Sequence, residues 1–148
     1  MAEIDRSLIG QWGSEGTLRV EVGKIREFAR AVKDPNPAFF ADAGAPAPPT
    51  FLMTIAHWLG DLGKTRSAVK LDYRRLLHGE QEFEYVNPIR AGDVLTFRSR
   101  TKDVFEKAGK RGGKMLFIIG ETEYRNQRGE VVAYTRNTAI ETEGPVQG

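Results

Sequence analysis

The second half of the chain constrains the fold most. Four strand-length segments follow one another there with only short loops between them: EQEFEYV (80–86), DVLTFRSRTKDVFEK (93–107), GKMLFIIGETEYRNQ (113–127) and EVVAYTRNTAIET (130–142). Phe83 and Tyr85 alternate with Glu82 and Glu84, and Leu95 and Phe97 are in phase, which is the period of a half-buried strand. Loops this short cannot carry a parallel crossover, so a meander of antiparallel hairpins is the expected topology. The short loop NQRG before the last strand supplies Gly129 for a position with positive φ.

A sheet of this kind needs an apolar layer to cover it, and the first half provides helices. TLRVEVG (17–23) alternates Leu18, Val20 and Val22 and predicts a short strand. In KIREFARAVKD, Ile25, Phe28, Ala29 and Val32 fall at i, i+3, i+4 and i+7, one face of a helix. Pro35 disfavours helical dihedrals at Asp34 and should end it there. After a Pro- and Ala-rich loop (34–49), Thr50 is positioned as an N-cap for TFLMTIAHWLGDLG. That segment is apolar around most of its circumference, as a central buried helix would be, and Gly63 suits its C-terminal cap. The fold class expected is α+β, one domain over 1–148 with a long antiparallel sheet wrapped around one central helix and a loose tail from about 143.

Composition narrows the partners. With no cysteine the chain has no disulfide or thiolate chemistry, which fits a cytoplasmic protein. No apolar run approaches the ~18 residues of a membrane span, and the N-terminus lacks the pattern of a secretory signal. Net charge is only +2, and aromatic and basic residues are not interleaved, so neither a membrane nor nucleic acid is an expected partner. The densest basic cluster, KAGKRGGK (107–114), reads as a solvated hairpin tip or as a phosphate-binding loop.

Four stretches carry a resemblance: GKIREFARAVKDPNP, APAPPTF, LHGEQEFEYVNPIRAGDVL and EVVAYTRNTAIE. Together they resemble the MaoC-like acyl-thioester dehydratases and hydratases of the hot-dog fold. Within these, the chain is similar to the N-terminal-type module of FAS1-like dehydratase regions and to small (3R)-hydroxyacyl-acyl-carrier-protein dehydratase subunits. The resemblance implies addition of water to a trans-2-enoyl thioester, or its removal from a (3R)-hydroxyacyl thioester. It implies no metal and no organic cofactor, a ligand that is acyl-CoA or acyl carrier protein, and pairing with a second hot-dog subunit as a homodimer or heterodimer.

The family's hydration motif is Asp, any residue, Asn, Pro, any residue, His. Laid on this chain it gives Asp34, Asn36 and Pro37, with Phe39 in the histidine position and Phe40 beyond it. A phenyl ring has no proton to exchange, so half of the proton machinery is missing. The resemblance places Phe39, Phe40, Thr50 and Phe51 along the acyl chain or its thioester. It also places Arg90 against pantetheine or CoA phosphates, or simply in water. Pro48 and Pro49 have no N–H, so backbone donors for a thioester carbonyl begin at Thr50 and Phe51. Without the resemblance, Asp34 and Asn36 read as ordinary turn formers.

Only two histidines remain as substitutes. His78, at the entrance of a strand, is a structural hydrogen-bonding residue, a contact for the acyl thioester, or a replacement proton carrier paired with Asp34. His57 and Asp61, four residues apart on the apolar helix, are either a helix-face pair or the acid–base pair of a thioesterase. The readings carried forward are the acyl-binding half of a dehydratase whose partner supplies Asp and His, a non-catalytic homodimeric acyl-thioester binder, and a complete hydratase or thioesterase with shifted machinery.

Overall fold

The computed structural model describes residues 2–55, 68–109 and 113–144. Its elements are β1 (Gly16–Arg19), α1 (Val22–Ala31), β2 (Leu76–Tyr85), β3 (Val94–Ala108), β4 (Lys114–Arg125) and β5 (Val131–Thr142). They form an α+β structure with one antiparallel sheet in the order β1-β3-β4-β5-β2. β3, β4 and β5 are joined by hairpins as expected, but β2 departs from the expected four-strand meander: it pairs with β5 instead of β3, so the chain crosses from one end of the β3–β4–β5 group to the other between β2 and β3. Gly129 takes φ +78° in the turn before β5. Gly113 takes φ +79° beside the β3–β4 tip, and its carbonyl accepts from Gly109 N–H. β1 and β2 are the two edges.

β2 starts earlier than its alternation suggests, at Leu76, because a bulge between His78 and Glu80 shifts the register against β5. Gly79 at this bulge lies against Ile140, and a Cβ there would stand 2.8 Å from Ile140 Cδ1. Val22, expected at the end of a strand, instead opens α1, since β1 stops at Arg19. Ile25 and Ala29 are buried and Phe28 packs on the core, but Val32 is 50% exposed. It sits at the helix C-cap, where the backbone leaves the helical path.

That exit is a Schellman motif. Asp34 N–H donates to the Ala29 carbonyl and Lys33 N–H to the Arg30 carbonyl, with Lys33 at φ 58°. A residue with a Cβ is strained in this left-handed region by ~1 kcal/mol. Lys33→Gly is therefore expected to raise stability by about 1 kcal/mol, read as a higher urea midpoint at unchanged slope.

Of the expected central helix, only the start lies among the described residues. A 3-10 turn spans Phe51–Thr54 and Ile55 continues with right-handed helical dihedrals. Gly63, His57 and Asp61 lie outside the described residues, so the thioesterase pair has no structural account here. Among the described residues no helix is long and apolar enough to cross a membrane.

The buried apolar side chains fall into two clusters. One joins α1, the 3-10 turns and one end of the sheet through Ile25, Phe39, Phe51, Leu95, Phe97 and Tyr124. The other joins Val104, Leu116 and Ile118 at the far end of the sheet to Ala68, Val69 and the N-terminal Ile4, which bridges Val69.

The opposite face of the sheet carries charge. Glu82, Arg136, Glu121 and Arg100 stand in one row across β2, β5, β4 and β3, alternating in sign. Glu121 accepts from Arg136 Nε (2.7 Å), Arg100 Nη2 (2.6 Å) and Lys102 Nζ (3.1 Å). In the next row Glu123 accepts from Arg98, Arg125 and the Tyr134 hydroxyl. The Trp12 ring lies over the Arg98 and Arg100 guanidinium groups, at 4.6 and 4.2 Å.

Candidate functional site

The segment bearing the motif is a pair of nested turns. Asp34 Oδ1 accepts from Asn36 N–H (3.0 Å), and Asn36 Oδ1 accepts from Ala38 N–H (3.0 Å). Asn36 thereby caps the 3-10 turn Pro37–Phe40, with Pro37 at its first position. Both side chains thus do the local backbone work for which turns select Asp and Asn. Phe39 is 7% exposed and belongs to the main core cluster, with Phe40 packed against that cluster. No titratable side chain takes the place of the missing histidine within this turn.

The start of the central segment is arranged similarly. Phe51 is wholly buried and meets Phe28 edge-on, with ring centroids 5.9 Å apart. Its N–H already donates to the Pro48 carbonyl (3.0 Å). Phe51 N–H is therefore not an open donor for a thioester oxygen. Thr50 N–H has no protein acceptor among the described residues. Arg90 is held in the loop between β2 and β3, donating from Nη1 to the Gly44 carbonyl (3.1 Å), while its N–H donates to Asp93 Oδ2.

A cavity of about 210 Å³ lies beside this segment, between it and the inner face of the sheet. Leu52, Met53 and Ile55 line it on one side; Phe97, Ser99, Thr122, Tyr124, Thr135, Asn137, Gln81 and His78 line it from the sheet. Of the residues expected from sequence, only His78 lines it. Asp34, Asn36, Pro37, Phe39, Phe40, Thr50, Phe51 and Arg90 do not, and Asp34 and His78 are not brought together in it.

The register explains the lining. Four rows cross β2, β5, β4 and β3 on the inner face. Tyr85, Ala133, Tyr124 and Phe97 form the first; Phe83, Thr135, Thr122 and Ser99 the second. Gln81, Asn137, Gly120 and Thr101 form the third; His78, Ala139, Ile118 and Val104 the fourth. The outer two rows feed the two apolar clusters, while the middle two place a polar belt between them. Ser99 and Thr122 hydroxyls lie 2.8 Å apart, and the Tyr124 hydroxyl is 3.4 Å from that of Thr135. Burial pushes the Tyr124 phenol up to about 12, so it is a neutral hydroxyl at physiological pH. Among the described residues no cluster of three or more potential ligands could hold a metal ion.

The FAS1-like dehydratase domain region matches residues 7–135. The chain belongs to that family. UPF0336 proteins are its relatives along nearly the whole length. That of Streptomyces avermitilis is 39% identical over 146 residues, 92% of this chain and 95% of the relative. That of Saccharopolyspora erythraea is 35% identical over 147 residues, 93% of this chain and 90% of the relative. Among solved structures, the C-terminally truncated HadBC (3R-hydroxyacyl-ACP dehydratase) complex of Mycobacterium tuberculosis is similar at a TM-score of 0.71 and 26% identity, covering 93% of this chain and 99% of that one. The R-hydratase PhaJ1 of Pseudomonas aeruginosa matches at 0.62 and 18% identity, covering 98% and 89%. The fold is the hot-dog fold, of the MaoC-like type expected from the sequence.

Proposed function

We propose that this family member is the acyl-thioester-binding half of a (3R)-hydroxyacyl-thioester dehydratase, and that a second hot-dog subunit supplies the proton-carrying Asp and His. The observation that carries this reading is the motif turn. Phe39 occupies the histidine position with its ring in the core, and Asp34 and Asn36 are committed to backbone turns. A phenyl ring buried among apolar side chains moves no proton to or from a water molecule.

The pairing surface is the free edge of β2. It is ten residues long, has β5 as its one strand neighbour among the described residues, and presents exposed Leu77 and Tyr85, with Val86 just beyond it. An unpaired edge of this length invites strand addition from another chain. The HadBC similarity supports a heterodimer, since that dehydratase is itself a complex. The ligand is an acyl-CoA or acyl carrier protein thioester, and the protein works in the cytoplasm.

The purified chain is expected to leave crotonyl-CoA hydration at the uncatalysed rate. Hydration is expected to rise by orders of magnitude when a hot-dog chain with an intact Asp and His at the motif is added. Turnover by this chain alone that disappears in His78→Ala would establish a shifted-site hydratase instead; His78 lines the cavity, but Asp34, its expected partner, does not. Thioester binding with no hydration in any pairing would leave the non-catalytic homodimeric binder.

A further inference from the structure

Strand β4 is apolar on both of its faces. Every residue from Met115 to Ile119 is apolar. Leu116 and Ile118 point into a buried cluster, while Met115, Phe117 and Ile119 point to the other side of the sheet, the side of Glu121. Water on one side of a strand selects alternation, so an unbroken apolar run marks a strand covered on both sides. The register carries the pattern to the neighbouring strands. Phe105, Phe117, Ile140 and Leu77 form one outward row across β3, β4, β5 and β2. The rings of Phe105 and Phe117 stack at 5.2 Å between centroids, with the Lys107 ammonium 5.1 Å from each. None of the four residues in this row belongs to either buried cluster, and Leu77 is 39% exposed.

Charge on this face decides between possible covers. Its ionised side chains stand in pairs, Glu121 with Arg100 and Arg136 and Glu123 with Arg98, so neither sign dominates. A nucleic acid, an anionic membrane or an acidic protein would find no excess of positive charge here. A second copy of the same face would find its complement. About a two-fold axis parallel to the strands, each row meets itself in reverse order. The row Glu82, Arg136, Glu121, Arg100 alternates in sign, so Glu82 would lie over the second copy's Arg100, and Arg136 over its Glu121. In the apolar row, Phe105 and Phe117 would lie over the second copy's Leu77 and Ile140. Glu80 and Asp103, of like charge, would meet only at the exposed rim. With strands ~4.8 Å apart and same-face rows ~7 Å apart, the outward rows from Met115 to Glu123 across β2 to β3 cover about 650 Å². Two copies would then bury about 1,300 Å², within the range of stable interfaces. We propose that this outer face is a self-association surface, on which a second copy of the chain packs sheet on sheet about such an axis. It is distinct from the β2 edge, so pairs joined at that edge would become dimers of dimers. The proposal holds whatever ligand the chain binds.

Sedimentation velocity on the full chain and on Phe117→Glu tests it. Phe117 lies on β4, with β5 between it and the β2 edge, so its substitution leaves edge pairing intact. The mass of the main species is expected to be halved in Phe117→Glu, whether or not the chain also pairs through its edge. The chain has no cysteine, so Ile119→Cys carries a single thiol. Face packing brings the two thiols close to the axis, where a short bis-maleimide joins them, whereas pairing through β2 would hold them ~24 Å apart, five strand spacings. A covalent dimer on a denaturing gel is expected, and this readout decides should Phe117→Glu fail to give a native circular dichroism spectrum. Equal masses for the parent chain and a natively folded Phe117→Glu, or no covalent dimer from Ile119→Cys, overturns the proposal. Phosphatidylglycerol vesicles that bind the parent chain but not Phe117→Glu, with the two chains equal in mass in solution, would give the face to a membrane and overturn it equally.

Discussion

Phe51→Ala is expected to lower the unfolding free energy by about 4 kcal/mol, within the range for truncating a fully buried phenylalanine. The ring has no exposed surface and packs edge-on against Phe28 of α1. It is also the first residue of the 3-10 turn from which Leu52, Met53 and Ile55 project into the cavity wall. The loss therefore combines the transfer of the ring, the void it leaves and the contact that ties this turn to α1. A chain of this size with ordinary stability of ~5–15 kcal/mol would remain folded but with its melting temperature lowered by roughly 10 °C. Urea unfolding followed by circular dichroism checks it, and a loss under ~1 kcal/mol would show that the neighbours collapse into the space.

Glu121→Gln is expected to cost about 3 kcal/mol and to change the acid limb of the stability curve. The Glu121 side chain is almost entirely buried, and its carboxylate pairs with three cations at once. Without it Arg136 keeps Glu82 and Glu84, but Arg100 and Lys102 lose the carboxylate they share, which is how breaking a buried ion pair becomes costly. Arg100, Lys102 and Arg136 retain solvent exposure, so the estimate sits at the low end for such pairs. Burial pushes the Glu121 carboxyl up, but hydrogen bonds from Arg136, Arg100 and Lys102 outweigh it and bring it from its ordinary 4.5 down to about 2. Between those values the unfolded chain binds the proton and the folded chain does not. The contribution of Glu121 is therefore complete above about pH 4.5 and is lost as pH falls towards about 2. Unfolding free energies measured from pH 6 down to pH 3 should fall less steeply in Glu121→Gln than in the parent chain; parallel curves would count against the pairing.

Much of this molecule is legible in its sequence, for identifiable reasons. The alternation of Leu95 and Phe97, and the apolar run from Met115 to Ile119, give the strands because a period of two is local. Gly129 marks its turn because positive φ is a property of one residue. The nested turns at Asp34 and Asn36 are equally local, each side chain reaching an N–H two residues on. The ends of elements are harder. Val22 alternates with Leu18 and Val20, yet helix initiation takes it into α1, and the β2 bulge shifts a register that alternation alone would extend.

The candidate cavity was the least legible part. His78 stands out in the sequence because histidine is chemically conspicuous, but Thr122, Thr135 and Asn137 are ordinary strand residues within each strand alone. A signal was present: the inward positions of β4 run from Leu116 and Ile118 through Gly120 and Thr122 to Tyr124, an interruption in an otherwise apolar face. It becomes meaningful only when the neighbouring strands are aligned beside it.

The sequence by itself determined the β3–β4–β5 hairpins, the helical pattern of α1 and the absence of a histidine from the motif turn, but not the place of β2 beside β5. Each of these depends on residues within a few positions of one another, where backbone preference and side-chain period decide. Only the tertiary structure decided that Phe39 is a core residue, that Glu121 holds three cations, and that Gln81, Asn137, Thr135, Thr122 and Ser99 meet in one belt. Those facts depend on register between strands far apart in the chain, and one residue of slip would move each side chain to the other face of the sheet.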